Sequence, residues 1–378
     1  MSDSLMRLAV MGHYPPGRLP SGGIETVMVN LVAALAQRPE LELHVVQHRQ
    51  VAPPGQFEMD GFVLHHLPAA QKRIFPNTLQ TEKLARAWLQ QVRPDAVISH
   101  HPSFALAAYA LGIPAVHTIH GMPRKEFWTR QGVFARTASA MEVGLEWRML
   151  QKATDIIAIA DEIVTLYGKR TRARFHRVNN PISLRFFEPA PWKPTQQALL
   201  VGHLNNRKGI DIAIEAVAQV LPTFPDFVLN IIGSTSADPE YARRVQAQAA
   251  PLGNAIRFLG LTDQAGVRAA MEQASIFLLT SRMENAPMVI AEAMATGRPV
   301  ISTRVGGVAS MIQPGVTGYL AESEDVGAVA QALRRLLGDA AHAQALGARA
   351  ARFARAHYHP QAVAQGYLQA VAVAAGHD

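Results

Sequence analysis

Short apolar runs alternate with amphipathic stretches along the first half of the chain. The runs contain few polar positions, whereas the stretches between them repeat their apolar residues at helical spacing. The predicted strands are 8–11, 43–46, 62–67, 96–99, 115–119 and 156–160, and the clearest predicted helices are 25–37, 81–92 and 104–111. Continuous apolar strands that alternate with helices are typical of a parallel sheet covered on both faces. The pattern predicts an α/β fold, in which ligands bind beyond the carboxyl ends of the strands.

The second half repeats this alternation after a proline-rich interruption. Its predicted strands are 198–201, 228–232, 256–259, 275–279 and 299–303, and its predicted helices include 210–221, 326–337, 341–356 and 360–375. Because residues 179–194 break the pattern with four prolines, we interpret them as a linker between two domains. The predicted domains are 1–185 and 195–358. A last helix within residues 359–378 is expected to cross back to the first domain.

The composition narrows the class of protein. A chain of 378 residues, 49% of them hydrophobic, can build the cores of two domains. It contains no cysteine, so it has no disulfide framework or thiolate metal site, and a reducing compartment is expected. The amino terminus is too polar for a signal peptide, and no run of about 18 apolar residues is available to span a bilayer. We therefore expect a soluble, cytoplasmic protein.

Positive charge is concentrated in the first half of the chain. Residues 1–190 contain 21 basic and 15 acidic residues (net +6), whereas residues 191–378 contain 15 and 14 (net +1). A basic surface attracts acidic partners, and no recognised nucleic-acid motif accompanies this charge. We expect an anionic membrane surface that carries a lipid-linked acceptor, with 122–136 and 169–177 as candidate contact segments. A basic face that is merely solvated explains the charge equally well.

The stretch most suited to chemistry is the polar turn after predicted strand 275–279. Asn285 is available as N-cap of the helix that follows, and Pro287 suits its first turn. Unpaired N–H groups at a helix start attract phosphate or ligand oxygens, and Glu284 and Glu292 lie just before this start and in the second turn. A solvated turn residue and a surface helix charge are the alternative interpretations. Apolar neighbours of Glu292 disfavour the second, because a carboxylate among them needs a partner.

A second polar turn joins predicted strand 198–201 to the following helix. It contains His203, Arg207 and Lys208 between glycines. Two adjacent cations in a strand-to-helix turn can neutralise a diphosphate. A pair of solvated cations is the alternative interpretation.

Two turns of the first half have related features. Gly22 and Gly23 lie where the chain enters predicted helix 25–37, whose amino terminus is suited to a phosphate. His120 follows predicted strand 115–119, at the sheet edge where functional side chains gather. The competing candidates at this edge are His117, His100 and His101. A plain loop and a surface histidine are the alternative interpretations.

The motifs of the second half resemble the donor-binding motif of a known enzyme family. Glu284 is followed, after seven residues, by Glu292-Ala-Met-Ala and then by Gly297-Arg-Pro-Val and Gly306-Gly307. This pattern resembles the retaining, metal-independent glycosyltransferases of family 4, which have the two-domain GT-B fold. Lys208-Gly209 and Gly22-Gly23-Ile24-Glu25 are similar to further motifs of that family.

The resemblance implies two Rossmann-like domains that face each other across a cleft, and transfer of a sugar from a nucleoside-diphosphate sugar to an acceptor hydroxyl. The implied catalytic residues are His120, Glu284 and Lys208. The implied diphosphate-binding residues are Gly22, Gly23, Arg207, Lys208 and His203. The implied sugar-binding residues are Glu284, Asn285, Ala286 and Met288, and the implied nucleotide-binding residues are Glu292, Gly233, Leu261 and Thr262. Neither a cofactor nor a metal ion is expected, and the histidines lack zinc-ligand spacing.

Departures from the family pattern leave alternatives open. His203 and Asn285 stand where the family usually has arginine and glycine. A sugar-nucleotide epimerase or phosphorylase on the same fold is one alternative, and a donor-binding scaffold without catalysis is another. UDP and GDP donors are both compatible with the residues. The expected setting is polysaccharide, lipopolysaccharide or glycolipid synthesis, in the cytoplasm or peripherally at the inner face of the cytoplasmic membrane.

Overall fold

The chain passes from one folded unit to another at a proline. The computed structural model describes residues 5–15, 20, 22–47, 54–68, 77–121 and 133–377. The first unit comprises Met1–Pro181 and Pro360–Asp378, and the second unit comprises Ile182–His359. Residues 182–194 differ from the expected linker, because Ile182, Phe186 and Phe187 are buried in the core of the second unit. The boundary therefore lies at 181/182 and not between 185 and 195.

A mainly parallel sheet forms the centre of the first unit. In the part of this unit that the structure describes, its strands are β1 (Met6–Met11), β2 (Leu41–Gln47), β3 (Gly55–Met59), β4 (Phe62–His66), β5 (Ala96–Ser99), β6 (Ala115–Ile119), β7 (Asp155–Ala158) and β8 (Arg174–Arg177). Their order is β3-β4-β2-β1-β5-β6-β7-β8. The pairing of β3 with β4 is antiparallel, whereas β1 pairs in parallel with both β2 and β5. The predicted parallel α/β fold is confirmed for this half of the chain.

Neither edge strand of this sheet is a buried apolar run like the central strands. β3 is exposed throughout and pairs with β4 in a hairpin around an Asp-Gly turn, a signal that marks such hairpins in a sequence. β8 lies within the basic segment 169–177, where Arg174 and His176 bind the buried Asp155 carboxylate at 2.9 and 2.8 Å. Part of this segment therefore neutralises a buried charge, a use that the sequence analysis did not consider.

Helices pack on the strands of the first unit. They are α1 (Gly23–Leu35), α2 (Asn77–Val92), α3 (Pro102–Tyr109), α4 (Val133–Lys152) and α5 (Asp161–Tyr167). α2 and α3 share an apolar core with the strands, to which Trp88, Leu89 and Phe104 contribute. Most of the candidate membrane segment 122–136 lies outside the described residues, because the description resumes at residue 133.

A parallel sheet forms the centre of the second unit. Its strands are β9 (Gln197–Val201), β10 (Val228–Ile232), β11 (Ile256–Gly260), β12 (Ile276–Leu279), β13 (Val300–Thr303) and β14 (Gly318–Ala321). Their order is β11-β10-β9-β12-β13-β14, and each neighbouring pair is parallel. These strands confirm the predicted α/β class for the second half as well.

Helices cover both faces of the second sheet. They are α6 (Ile210–Val220), α7 (Pro239–Ala249), α8 (Gln264–Gln273), α9 (Met288–Ala295), α10 (Val308–Met311), α11 (Val326–Gly338) and α12 (Ala340–Tyr358). Neighbouring residues of β12 point into different cores, since Leu278 belongs to one cluster and Phe277 and Leu279 to the other. Burial on both faces explains why these strands are continuously apolar.

The last helix, α13 (Pro360–Ala374), belongs to the first unit. It packs against α1 and buries Tyr367 and Val371. Among the helices that the structure describes, none combines the length and the apolar composition that crossing a bilayer requires.

Among the strands that the structure describes, each sheet has one point at which the strand order reverses. In the second sheet this point lies between β9 and β12, and in the first sheet between β1 and β5. The loops that leave two such strands diverge to opposite faces, which leaves a crevice at the carboxyl edge where ligands of α/β sheets bind. The loops after β9 and β12 contain Lys208 and Glu284, whereas those after β1 and β5 contain His13 and His100.

Candidate functional site

The reversal point of the second sheet brings one carboxylate and two cations together. The Lys208 ammonium donates to Glu284 Oε1 at 2.6 Å, and Arg207 Nη1 donates to Oε2 at 3.2 Å. The Ser281 hydroxyl donates to Oε1 at 2.8 Å. We call these four residues the Glu284 cluster. The sequence predicted three of its members but not Ser281, and its two cations against one carboxylate leave a net positive charge.

Burial distinguishes the members of the Glu284 cluster. The side chains of Lys208 and Glu284 are only 10% and 6% exposed, whereas that of Arg207 is 47% exposed. The alternative interpretations were a solvated turn carboxylate and a pair of solvated cations. They therefore hold at most for Arg207. An ion pair as buried as Lys208 with Glu284 interacts more strongly than a surface pair, because less water screens it.

The loop that holds Lys208 is built by a cap and a glycine. Residues Asn206–Lys208 form a single 3-10 turn, and Asn205 Oδ1 accepts a hydrogen bond from the Lys208 backbone N–H at 3.2 Å. Gly209 follows in the left-handed region at φ +57°, and a Cβ atom there would lie 2.1 Å from the Thr280 carbonyl oxygen. The Thr280 hydroxyl donates to the Gly209 carbonyl at 2.7 Å. The two loops are thus in direct contact, with no space for a side chain between them.

Arg282 ties three loops together and was not recognised from the sequence. Its guanidinium donates to both carboxylate oxygens of Asp211, at 2.8 and 2.9 Å, and to both of Glu324, at 2.6 and 3.0 Å. Its backbone N–H donates to the Arg207 carbonyl at 2.8 Å. The hydrogen bonds with Asp211 raise the pKa of Arg282 above its usual value. Arg282 therefore connects the turn that contains Glu284 to the turn that contains Lys208.

The helix behind this turn begins later than predicted. α9 starts at Met288 with Pro287 in the N-cap position, and Pro287 makes no side-chain capping hydrogen bond. Asn285 is therefore not the N-cap, because two further residues separate it from the first helical residue. Asn285, Ala286 and Met288 are half-buried at this helix start. N–H groups at a helix start are suited to ligand oxygens.

Glu292 is a buried carboxylate and not a surface helix charge. It is 6% exposed, and Ala291, Ala293 and Met294 beside it belong to an apolar core. Within the described part of the chain, no hydrogen bond reaches its carboxylate. Burial raises the pKa of Glu292 from 4.5 to about 7. A buried acid with no protein partner is a good receptor for ligand hydroxyl groups.

The remaining second-unit candidates lie on the loops after β9, β10 and β11. His203 is exposed and does not join the Glu284 cluster. A Cβ atom on Gly233 would lie 1.9 Å from the Gly202 carbonyl oxygen, so close packing of two loops is sufficient reason for this glycine. Leu261 is 70% exposed, and Thr262 next to it is also exposed. An exposed leucine at the carboxyl edge of a sheet offers an apolar surface to a planar base.

In the first unit, the Gly-Gly turn leads directly into a helix. Gly22 occupies the N-cap position of α1 and Gly23 is its first residue. Both glycines are exposed, whereas Glu25 and Thr26 are buried behind them. The Thr26 hydroxyl donates to the Gly22 carbonyl at 3.1 Å, which fixes the turn.

The structure separates the four candidate histidines of the first unit. His101 caps α3, where its Nδ1 accepts a hydrogen bond from the Ser103 N–H. His117 is buried within β6 and bonds Ser99 Oγ at 3.2 Å. His120 is half-buried at the end of β6, and its Nε2 lies 2.6 Å from Nδ1 of His100. His120 thus lies at the carboxyl end of β6, and His100 is its neighbour.

Burial lowers the pKa of His100, His117 and His120 and so favours their neutral forms. Burial and then the nearby His13 lower the pKa of His120 to about 4. Burial, followed by the neighbouring His120 and His101, lowers the pKa of His117 to about 3. The pKa of His100 lies well below its usual value, again mainly because of burial. Among the side chains that the structure describes, no group of three or more potential metal ligands converges.

Comparison with known proteins identifies two matching family models. The model described as "Glycosyltransferase Family 4" matches residues 21–186, and the model described as "Glycosyl transferases group 1" matches residues 195–339. A glycogen synthase of Mycobacterium tuberculosis is 32% identical over 286 residues, which cover 72% of this chain and 67% of the relative.

Solved structures share the fold over nearly the whole chain. Sucrose-phosphate synthase from Thermosynechococcus elongatus superposes with a TM-score of 0.76 at 22% identity, covering 96% of this chain and 98% of that protein. Anabaena Alr3699/HepE in complex with UDP-glucose superposes with a TM-score of 0.71 at 17% identity, covering 97% of this chain and 100% of that protein.

Proposed function

Because this chain belongs to the family 4, group 1 glycosyltransferases and has the GT-B fold, we propose that it transfers a sugar from a nucleoside-diphosphate sugar to an acceptor hydroxyl with retention of configuration. We further propose that the reaction needs no metal ion. The observation that carries the proposal is the Glu284 cluster, in which two cations and one buried carboxylate meet at the carboxyl edge of a parallel sheet.

In the proposed mechanism, the two cations of the cluster stabilise the leaving diphosphate. Lys208 and Arg207 both bind the Glu284 carboxylate. A diphosphate can therefore take the place of this carboxylate, or bind the two cations together with it. Positive groups fixed in advance beside the developing phosphate charge supply the electrostatic stabilisation that is often the largest contribution to catalysis. The leaving phosphate then helps to take the proton of the acceptor hydroxyl, so that no carboxylate nucleophile is required.

In this proposal, the residues around the cluster bind the donor sugar and the nucleoside. Glu284 and the N–H groups at the start of α9 bind sugar hydroxyls, and Glu292 binds the ribose hydroxyls. Leu261 and Thr262 lie beside the base. In the first unit, His120 contacts the donor sugar and the Gly22-Gly23 turn faces phosphate. UDP-sugars are the first donors to test, because the solved Anabaena relative binds UDP-glucose.

The acceptor that we propose is a lipid-linked sugar, in polysaccharide or glycolipid synthesis. The excess of positive charge in residues 1–190, 21 basic against 15 acidic, supports contact with an anionic surface.

Arg207 supports catalytic competence, since it supplies the second cation at a site where His203 replaces the usual arginine.

The test is a thermal-shift screen with EDTA present, using UDP, GDP, ADP and their common sugar conjugates. We expect one nucleotide to raise the melting temperature of the wild type but not of Lys208→Ala or Glu292→Ala. Arg352→Ala, which removes an exposed cation of α12 in the same unit, is the matched control and should behave as wild type. No shift with any nucleotide would count against a competent donor site.

Transfer itself is tested by incubating the responding donor with a panel of lipid-linked and free sugar acceptors in EDTA. We expect a product whose new linkage has the anomeric configuration of the donor, measured by proton NMR. An inverted linkage would contradict retention, and activity that EDTA abolishes would contradict metal independence. Epimerised or phosphorolysed donor without acceptor would favour another enzyme class on this fold.

A further inference from the structure

Two imidazoles face each other at the ends of neighbouring strands in the first unit. His100 follows β5 and His120 follows β6, and these strands pair in parallel. The ring centroids are 4.9 Å apart with planes inclined by only 20°, and His100 Nδ1 lies 2.6 Å from His120 Nε2. We call these two residues the histidine pair. A contact this short requires one hydrogen between the two nitrogens, donated by one ring and accepted by the other.

The ring of His100 also contacts the last helix. Tyr367 of α13 stacks beside it, with centroids 6.0 Å apart and planes inclined by 30°. The Tyr367 hydroxyl is in turn 3.0 Å from the Thr118 hydroxyl of β6. The backbone N–H of His100 donates to the Met11 carbonyl at 2.9 Å. His100 is 5% exposed, and these contacts restrict rotation of its ring away from His120.

The arrangement distinguishes two tautomers. If His120 Nε2 carries the shared hydrogen, the single hydrogen of neutral His100 must sit on its Nε2, which is buried without a hydrogen-bond partner in the described part of the chain. If His100 Nδ1 carries it, that same Nε2 is only an unpaired acceptor. Buried N–H donors without partners are rarer in proteins than unpaired acceptors. The second arrangement is therefore favoured, and it places the hydrogen of neutral His120 on Nδ1.

We propose that His100 is a positioning residue that holds His120 in the Nδ1–H tautomer, so that His120 donates a hydrogen bond to an oxygen of the bound donor sugar. The identity of the ligand rests on the proposed function, whereas the tautomer of His120 does not. His100 itself does not touch substrate. Tyr367 supports His100 from behind, which gives the returning helix α13 a part in shaping the site.

The first test reads the tautomer in the free protein, without any assay of activity. Long-range proton–nitrogen NMR of protein labelled with ¹⁵N-histidine distinguishes a protonated from an unprotonated ring nitrogen. The His120 and His100 signals are assigned by their loss in His120→Gln and His100→Asn. We expect His120 to carry hydrogen on Nδ1. Hydrogen on Nε2 of His120 would overturn the proposal, whether or not the protein proves to be a transferase.

The second test separates hydrogen bonding from packing. His100→Leu fills the space but removes the donor, whereas His100→Asn keeps an amide N–H near the position of Nδ1. We expect kcat for transfer to fall roughly tenfold in His100→Leu and to recover largely in His100→Asn, with unchanged affinity for the free nucleoside diphosphate. Equal loss in the two variants would overturn the positioning function.

Controls keep the outcomes separate. His117→Asn changes a buried histidine that bonds Ser99 rather than His120. We therefore do not expect it to reproduce the loss and recovery of kcat that distinguish the two His100 variants. Melting temperatures identify variants that lose activity only through unfolding, and the NMR experiment on wild type decides the tautomer if His100→Leu does not fold. Absence of transfer by the wild type would defeat the proposed function and leave the tautomer result standing.

Discussion

The Glu284 cluster and the histidine pair both lie at the carboxyl edges of their sheets but hold polar groups in opposite ways. In the second unit, a buried carboxylate is paired with an ammonium at 2.6 Å and a guanidinium at 3.2 Å. In the first unit, the buried His100 and the half-buried His120 share one hydrogen over 2.6 Å, and burial lowers the pKa of His120 to about 4. One region pairs groups of opposite charge, and the other buries imidazoles and thereby lowers their pKa.

This difference indicates what each region is suited to bind. A cluster with one cation in excess attracts an anion such as a diphosphate, because an anion can take over the hydrogen bonds of the carboxylate. Neutral imidazoles neither attract nor repel charge and are suited to the hydroxyl groups of a sugar. Each prediction below changes one group so as to test this division, from the largest expected effect to the smallest.

Glu284→Gln is expected to have the largest effect. It keeps the size of the side chain but removes the charge, so transfer should fall at least ~100-fold through loss of sugar contacts. Binding of the free nucleoside diphosphate should become tighter, because Lys208 and Arg207 no longer share their charge with a carboxylate. Calorimetric titration measures this affinity.

The matched control for that change is Glu322→Gln, which removes an exposed carboxylate paired with Arg304 in the same unit. It should leave both transfer and nucleotide affinity unchanged. Weaker diphosphate binding in Glu284→Gln than in wild type would contradict the view that the carboxylate competes for the two cations.

Glu292 resembles the first-unit histidines, because burial shifts its pKa so as to favour the neutral form. Burial raises its pKa from 4.5 to about 7, so between these values the unfolded chain has lost a proton that the folded protein keeps. The folded state binds more protons, and stability therefore falls as pH rises from 4.5 to 7, by up to roughly 3 kcal/mol. Glu292→Gln should lack this part of the pH dependence.

Urea denaturation of wild type and Glu292→Gln at pH 5 and pH 8 measures the effect. The free energy of unfolding of the variant, relative to wild type, should be higher at pH 8 than at pH 5. Identical pH dependence in the two proteins would mean that Glu292 is already ionised and paired, as in the Glu284 cluster.

Arg282→Ala tests how far the charged region depends on its supporting ion pairs. Loss of the two bidentate contacts leaves Asp211 and Glu324 without their common partner, and we expect a loss of roughly 1–3 kcal/mol in stability together with weaker nucleotide binding. The exposed pair of Arg304 with Glu322 is the comparison, and Arg304→Ala should cost less than about 1 kcal/mol. Equal effects would make Arg282 an ordinary surface cation.

His203→Arg should have the smallest effect. It restores the residue usual in the family, but Arg207 already places a second cation on Glu284. We expect diphosphate affinity to change by less than about threefold in His203→Arg and to fall by roughly tenfold in Arg207→Ala. A large gain from His203→Arg would show that the cluster lacks a cation.

Much of the fold could be predicted because buried strands leave a local signal. The runs that became β5, β6 and β12 are buried at every position and mostly apolar, since helices cover both faces of their sheets. The exposed edge strand β3 has no such run and was missed. The start of α9 was placed too early, because an asparagine followed by a proline is a common helix start but Pro287 itself takes the N-cap position here.

Part of the site could be predicted for a related reason. Glu284, Lys208 and Arg207 lie in turns whose composition and family resemblance mark them. Ser281 and Arg282 lie in the same turn as Glu284, but nothing in their local sequence indicates that one reaches the carboxylate and the other reaches Asp211. His100 was one of four candidate histidines, and its partner Tyr367 lies far away in the last helix.

The sequence by itself determined the alternation of strands and helices, the turns that carry charged residues and the family to which the chain belongs. The tertiary structure decided which of those residues meet. Lys208 and Glu284 are 76 positions apart, and Thr118 and Tyr367 are 249 positions apart, so each contact exists only once distant strands and helices have packed. Local patterns reflect the burial of each segment, whereas partnership between side chains depends on strand order and on where the chain returns.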